Sequence, residues 1–98
     1  MARERIPADS NVLLTYRTPR NGRIRFSVSS TEPVSTYIVD DDGVVEFDEG
    51  REIPAYGGFT RRFEHEQQIT LPFRGRWHLL IVNREDVAAI VNYDVELR

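Results

Sequence analysis

Apolar and polar residues alternate with a period of two along most of this chain, and the longest unbroken case is the C-terminal segment. There Val87, Ala89, Val91, Tyr93, Val95 and Leu97 interleave with Ala88, Ile90, Asn92, Asp94, Glu96 and Arg98. Successive strand residues point to opposite faces, so this pattern predicts a half-buried closing strand. The same rule predicts a first strand in which Val12, Leu14 and Tyr16 alternate with Leu13, Thr15 and Arg17. A second follows, with Ile24, Phe26 and Val28 opposed to Arg23, Arg25, Ser27 and Ser29. Asn21-Gly22 lies between them, and both residues tolerate positive φ, so these two strands are expected to form an antiparallel hairpin. The stretch Gly75–Asn83 breaks the alternation because Trp77, Leu79, Leu80, Ile81 and Val82 are apolar on both faces. It reads as a central strand covered on each side, with Trp77 in the core between two sheets.

Other segments are less regular. Residues 1–10 lack periodicity and read as a flexible N-terminal arm ahead of a single domain spanning residues 11–98. Ser30-Thr31-Glu32-Pro33 reads as a connection and Val34–Val39 as a third strand. Asp40-Asp41-Asp42-Gly43 then reads as a turn, Asp-Gly supplying a left-handed position. From Val44 to Phe59 the glycines and Pro54 interrupt any regular element, so a long loop that tucks Phe47 onto the core is expected instead of a helix. Thr60–Leu71 reads as one or two strands interrupted near Glu64-His65-Glu66 and ended by Pro72. Seven to eight short strands separated by turns predict an all-β fold, an antiparallel β-sandwich.

Composition narrows the class. A chain of 98 residues with 40% hydrophobic content builds one core and no more. No apolar run approaches the roughly 20 residues that span a bilayer. The first ten residues lack the apolar stretch of a signal peptide, so a cytoplasmic location without membrane contact is expected. There is no cysteine, which excludes disulfides, thiolate metal sites and a thiol nucleophile. Every one of the 13 basic residues is arginine, a planar donor suited to bidentate bonds with carboxylate or phosphate. Charge is segregated: residues 1–30 carry six arginines against Glu4 and Asp9, whereas residues 31–60 carry eight acids against Arg51. Such a dipolar chain favours contact with its own copies.

Four groups of residues carry candidate chemistry. Arg17, Arg20, Arg23 and Arg25 flank the Asn-Gly tip and suit contact with an anion or a protein partner. Without an aromatic platform among them and with an acidic chain overall, nucleic acid is not the expected partner. Tyr56, Gly57, Gly58 and Phe59 form the most distinctive loop. Its aromatics either build a ligand platform for peptide or sugar or cap one end of the core. The acids Asp40, Asp41, Asp42, Glu46, Asp48 and Glu49 lack the spacing of a calcium loop and read as a solvated turn, so no metal site is expected. His65, between two glutamates, reads as a surface residue, and His78, on an apolar strand, as a hydrogen-bonded structural one. No serine sits on a strained turn beside a base, so no catalytic residue, enzymatic activity or cofactor is expected.

Tyr56-Gly57-Gly58 and Leu71-Pro72-Phe73-Arg74-Gly75-Arg76-Trp77 also carry a resemblance. From about Val34 to Leu97 the order of elements is similar to small bacterial β-sandwich domains of unknown function. These look related to Golgi-dynamics (GOLD) domains and to bacterial pre-peptidase C-terminal domains. The resemblance implies a jelly-roll or GOLD-like sandwich and a non-enzymatic binding or interaction module, self-assembling or serving as adaptor for a bacterial signalling partner. A ligand-binding sandwich of carbohydrate- or calcium-binding type is the alternative. A homo-oligomer is expected, with Ala88–Asn92 of the closing strand meeting a partner wherever that strand forms a sheet edge.

Overall fold

A computed structural model describes residues 2–18, 22–72 and 74–97. Arg20, Asn21 and Phe73 therefore lie outside the described residues. Among the described residues six strands and one helix follow in the order β1 (Ala2–Ile6), β2 (Ser10–Thr18), β3 (Arg23–Val39), α1 (Asp41–Asp48), β4 (Gly57–Thr70), β5 (Gly75–Asn83) and β6 (Ala89–Leu97). All strand pairings are antiparallel and belong to one curled sheet ordered β1-β6-β3-β5-β2, with β4 added on β3. The fold is thus all-β in the main, with six strands in place of seven to eight and one continuous sheet in place of two separate ones.

The curl comes from β3. Its first half, Ile24 to Ser30, pairs with β6, and its second half, Ser35 to Val39, pairs with β5. Ser30–Pro33, expected as a connection, lies inside this strand at a register shift against β4. Extra residues on one side of a ladder bend it, so the bulge turns the chain without ending the strand. A second shift on β4 falls near Arg61, whose φ is 49°. One limb therefore holds β2, β5 and the second half of β3; the other holds β1, β6 and the first half of β3. The bend brings Phe59 and His65 of β4 to 4.9 Å between ring centroids and lets Gln67 Oε1 accept from Gly58 N at 2.8 Å. Between the limbs lies one core, in which Ile6, Ile24, Phe26, Trp77, Leu79, Ile81 and Val91 are fully buried.

Four local expectations are corrected. The β2–β3 hairpin is absent: β2 pairs with β5 while β3 pairs with β4, β5 and β6, and Asn21 of the expected turn lies outside the described residues. Asn-Gly marks a reversal of direction and says nothing about which strand becomes a neighbour. Residues 1–10 hold a paired strand, β1, whose lone core residue Ile6 is too little for any periodicity to show. Residues 41–48 form α1, capped at both ends by groups local to the sequence. Asp40 accepts from Gly43 N at 2.9 Å at the N-terminus. At the other end Gly50 (φ 71°) reverses the backbone, with Arg51 N bonded to Glu46 O and Gly50 N to Phe47 O, a Schellman closure. Finally, β6 is flanked by β1 and β3 and is not an edge.

The two-sided strand is as expected. Trp77, Leu79 and Ile81 face the core, and Leu80 and Val82 are buried on the opposite face, the side on which α1 touches β3 and β5. Gly43 allows that approach, since a Cβ there would lie 2.6 Å from Val39 Cβ. The two limbs meet at Asn83, which is fully buried. Its Nδ2 donates to the carbonyls of Ile6, Pro7 and Val87 at 3.1, 3.1 and 2.9 Å, and its Oδ1 accepts from Glu85 N. Among the described residues no helix is long and apolar enough to cross a membrane.

Candidate functional site

Among the described residues three strands of the curled sheet, β1, β2 and β4, have a free side, and their sequences differ in how well they guard it. A free strand side presents unpaired N–H and C=O groups, which proteins blunt with charge, proline, bulges or shortness. β1 has five residues, and Arg3, Glu4 and Arg5 are charged. β4 carries Arg61, Arg62, Glu64 and Glu66 and is bent at its bulge. β2 has none of these devices. It runs nine residues in unbroken register with β5, from Ser10 opposite Asn83 to Thr18 opposite Gly75, and Arg17 is its only charge. Its inward residues Val12, Leu14 and Tyr16 are only partly buried against the core, and outward-facing Leu13 is 39% exposed. Sequence reading finds the β2 strand but misses this edge. The low charge is visible in the chain, whereas edge position depends on non-local pairing.

Three of the four arginines grouped around the tip are described, Arg20 lying outside the described residues. Arg17 sits on β2 opposite Arg76, and Arg23 and Arg25 lie on β3 in the other limb. Arg25 bridges its two neighbouring strands, donating Nε to Glu66 at 2.8 Å and lying 3.7 Å from Glu96. The Glu66 bond and charge push its guanidinium pKa further up.

The Tyr56–Phe59 segment joins the loop to β4, and its groups are engaged within the molecule. Tyr56 N donates to Ile38 O at 2.8 Å, its ring meets Trp77 edge-on at 4.9 Å, and its hydroxyl donates to Asp40 at 3.2 Å. Burial, then the Asp40 charge, raises its phenol pKa. Gly58 has φ 135°, and a Cβ there would stand 2.0 Å from Thr36 O, so the residue is required by close backbone approach. Phe59 meets His65 at a tilt and receives the Arg62 guanidinium at 4.8 Å from its ring centre.

The acids are distributed over caps and ion pairs. Asp40 caps α1, Glu46 and Glu49 pair with Arg51, and Asp41 pairs with Arg76 and His78. The bonds from Arg76 and then His78 hold the Asp41 carboxyl at about 2. No group of three or more metal-ligating side chains converges among the described residues. His78 is buried with both nitrogens engaged: Nε2 is 2.6 Å from Asp41 and Nδ1 3.0 Å from the Thr15 hydroxyl. A carboxylate only accepts, so Nε2 carries the hydrogen.

His65 departs from expectation. It is 8% exposed because it lies directly opposite the core residue Val28 of β3 and so shares its inward face. Its Nε2 bonds the Thr36 hydroxyl at 2.9 Å, Phe26 meets it edge-on at 6.0 Å, and Nδ1 is buried without a partner. Burial, and secondarily Arg62, lowers its pKa to about 4. A shallow cavity of about 380 Å³ nearby is lined by Ser27, Ser29, Glu64, His65, Glu66 and Asn92. No protein-family model matches the chain, and no curated protein matches it.

Proposed function

We propose that this chain is a non-enzymatic interaction module of sandwich-like build, whose working surface is the free side of β2. The carrying observation is the contrast among the edges. β2 combines nine regularly paired residues, a single charge, an exposed leucine and partly buried core residues, whereas β1 and β4 are short, charged or bent. An added strand would satisfy the outward backbone groups of β2 and cover Val12, Leu14 and Tyr16, the mode of recognition known as strand addition. Backbone hydrogen bonds supply affinity in that mode and alternate side chains supply selection.

A labelled nine-residue peptide with the β2 sequence, Ser10 to Thr18, tests this directly. Titrated with dilute protein, it should give a saturable rise in fluorescence anisotropy. Leu13→Lys, which sets a charge on the outward face without touching the core, should weaken binding about tenfold. Absence of saturable binding, or binding indifferent to Leu13→Lys, overturns the reading.

A further inference from the structure

We infer that the strand received by the β2 edge is β2 of a second copy of this chain, in a two-fold antiparallel pair centred on Leu13. The inference rests on the proposed role of that edge and adds to it the partner and the register.

Three features of β2 select this arrangement. First, a continuous sheet keeps inward residues inward, and residues directly opposite each other share a face, so a two-fold pair must be centred on a single residue. Second, the charges choose among centres. In a pair centred on Leu13, Asp9, in the turn that leads into β2, comes level with Arg17 of the other copy at both ends. Centring on Leu14 sets Arg17 against Asn11, and centring on Val12 sets it against Pro7. Neither Asp9 nor Arg17 makes an ion pair within the described residues, and both are exposed. Third, the apolar pattern agrees. Leu13, the exposed apolar residue of the outward face, meets its own copy on the axis. On the inward face Val12 lies opposite Leu14 and Ser10 opposite Tyr16. Asn11 faces Thr15, so no like charges oppose anywhere in the pair. A parallel arrangement in register would bring the two Arg17 side chains together.

The absence of cysteine makes the register directly readable. Opposed residues in an antiparallel pair have Cα atoms about 4.5–5.5 Å apart, within the disulfide range. Leu13→Cys should therefore form a covalent dimer under mild oxidation at least tenfold faster than Thr15→Cys, whose copies are not opposed. Light scattering of the parent should give twice the 11.4 kDa chain mass at high concentration. Asp9→Asn, which tolerates the left-handed backbone at that position (φ 50°), and Arg17→Gln should each weaken the dimer two- to fivefold. Combining them should weaken it no further than either alone. A monomer mass at every concentration, with the β2 peptide still binding, overturns self-pairing and leaves the edge reading standing; loss of both removes both. Faster cross-linking through Thr15→Cys, or additive effects of the two charge substitutions, overturns the register.

Discussion

The two limbs of the sheet share one core but treat their polar groups in opposite ways. In the limb built on β2 and β5, α1 lies against the outer face. The buried ring of His78 is tied at both nitrogens, to Asp41 of the helix and Thr15 of β2. In the limb built on β1 and β6, the outward residues of β3 and β4 stay open, and Arg25 spans Glu66 and Glu96 in solvent. Its inner side carries His65, buried with one nitrogen unpartnered. The covering helix supplies one of the two partners of His78, whereas His65, set opposite Val28 on the inward face, finds a partner for one nitrogen only. Stability of the first limb should therefore depend on packing, and pH sensitivity should concentrate in the second.

Removing the packing gives the largest effect. Trp77 is fully buried on β5, meets Tyr56 edge-on, and belongs with Leu79 and Ile81 to the single core cluster. Trp77→Ala should cost about 3–5 kcal/mol, a large part of the 5–15 kcal/mol typical of a domain. Phe63, an aromatic of the bent β4, is 55% exposed, and Phe63→Ala should change stability by no more than about 0.5 kcal/mol. Urea denaturation of both variants decides the comparison. A Trp77→Ala protein that unfolds near the parental midpoint would remove β5 from the centre of the fold.

The same strand shows what the amino-acid sequence reveals. Four apolar residues in a row, Leu79 to Val82, with Trp77 just ahead of them, require cover on both sides of β5. The alternation marks the inward residues of β2, β3 and β6 correctly, although Val87, read as the start of the closing strand, lies ahead of β6 and is exposed. Neighbour order is not local. Nothing in Val12–Arg17 says that β5, not β3, lies beside it, so the hairpin expectation fails and the bare edge stays hidden. Helix α1 is two turns long with Val44, Val45 and Phe47 as its apolar residues, too short for a 3.6-residue period to stand out. Its signals were the caps, Asp40 and Gly50, which also fit an ordinary turn. Pro33 reads as a strand break, yet the bulge there lets β3 continue. His65 between two glutamates looks solvated, but its pairing opposite Val28 puts it on the inward face, where Phe26 and Phe59 lie against it.

That burial sets the second prediction. The folded state holds His65 at about 4, below the ordinary 6.5, so folding favours the neutral ring. Its contribution is complete above pH 6.5, falls as the pH drops from 6.5 toward 4, and changes no further below that. The loss should reach on the order of 3 kcal/mol, at about 1.4 kcal/mol for each tenfold change in proton affinity. Asp41 behaves as a depressed carboxylate, so its contribution is lost only as pH falls from 3.8 toward 2, outside the histidine window. Denaturant melts at pH 7, 5.5 and 4.5, repeated on His65→Gln, isolate the ring, and the imidazole proton resonance gives the midpoint directly. A His65 midpoint near 6.5, or a pH profile that His65→Gln leaves unchanged, would show that its inward position does not isolate the ring.

The smallest effect belongs to the ion pairs, and it sharpens the contrast between the covered and open limbs. Arg25 and its partners Glu66 and Glu96 are each about half exposed, so water and salt already compete for them. Exposed pairs contribute little, and charges in solvent are screened over about 10 Å at 0.1 M salt. Arg25→Ala should therefore lower the melting temperature by less than about 4 °C, and 1 M salt should shrink the difference further. Asp41 is as exposed as Glu66, but it bonds a buried ring, and Asp41→Ala leaves the Nε2–H of His78 without an acceptor beneath α1. A buried donor without a partner is costly and is not screened by salt. Asp41→Ala should thus lower the melting temperature more than Arg25→Ala, and the gap should persist in 1 M salt. Equal shifts for the two variants, both vanishing in salt, would mean that Asp41 acts as another surface charge and that α1 does not seal the face of the β2–β5 limb.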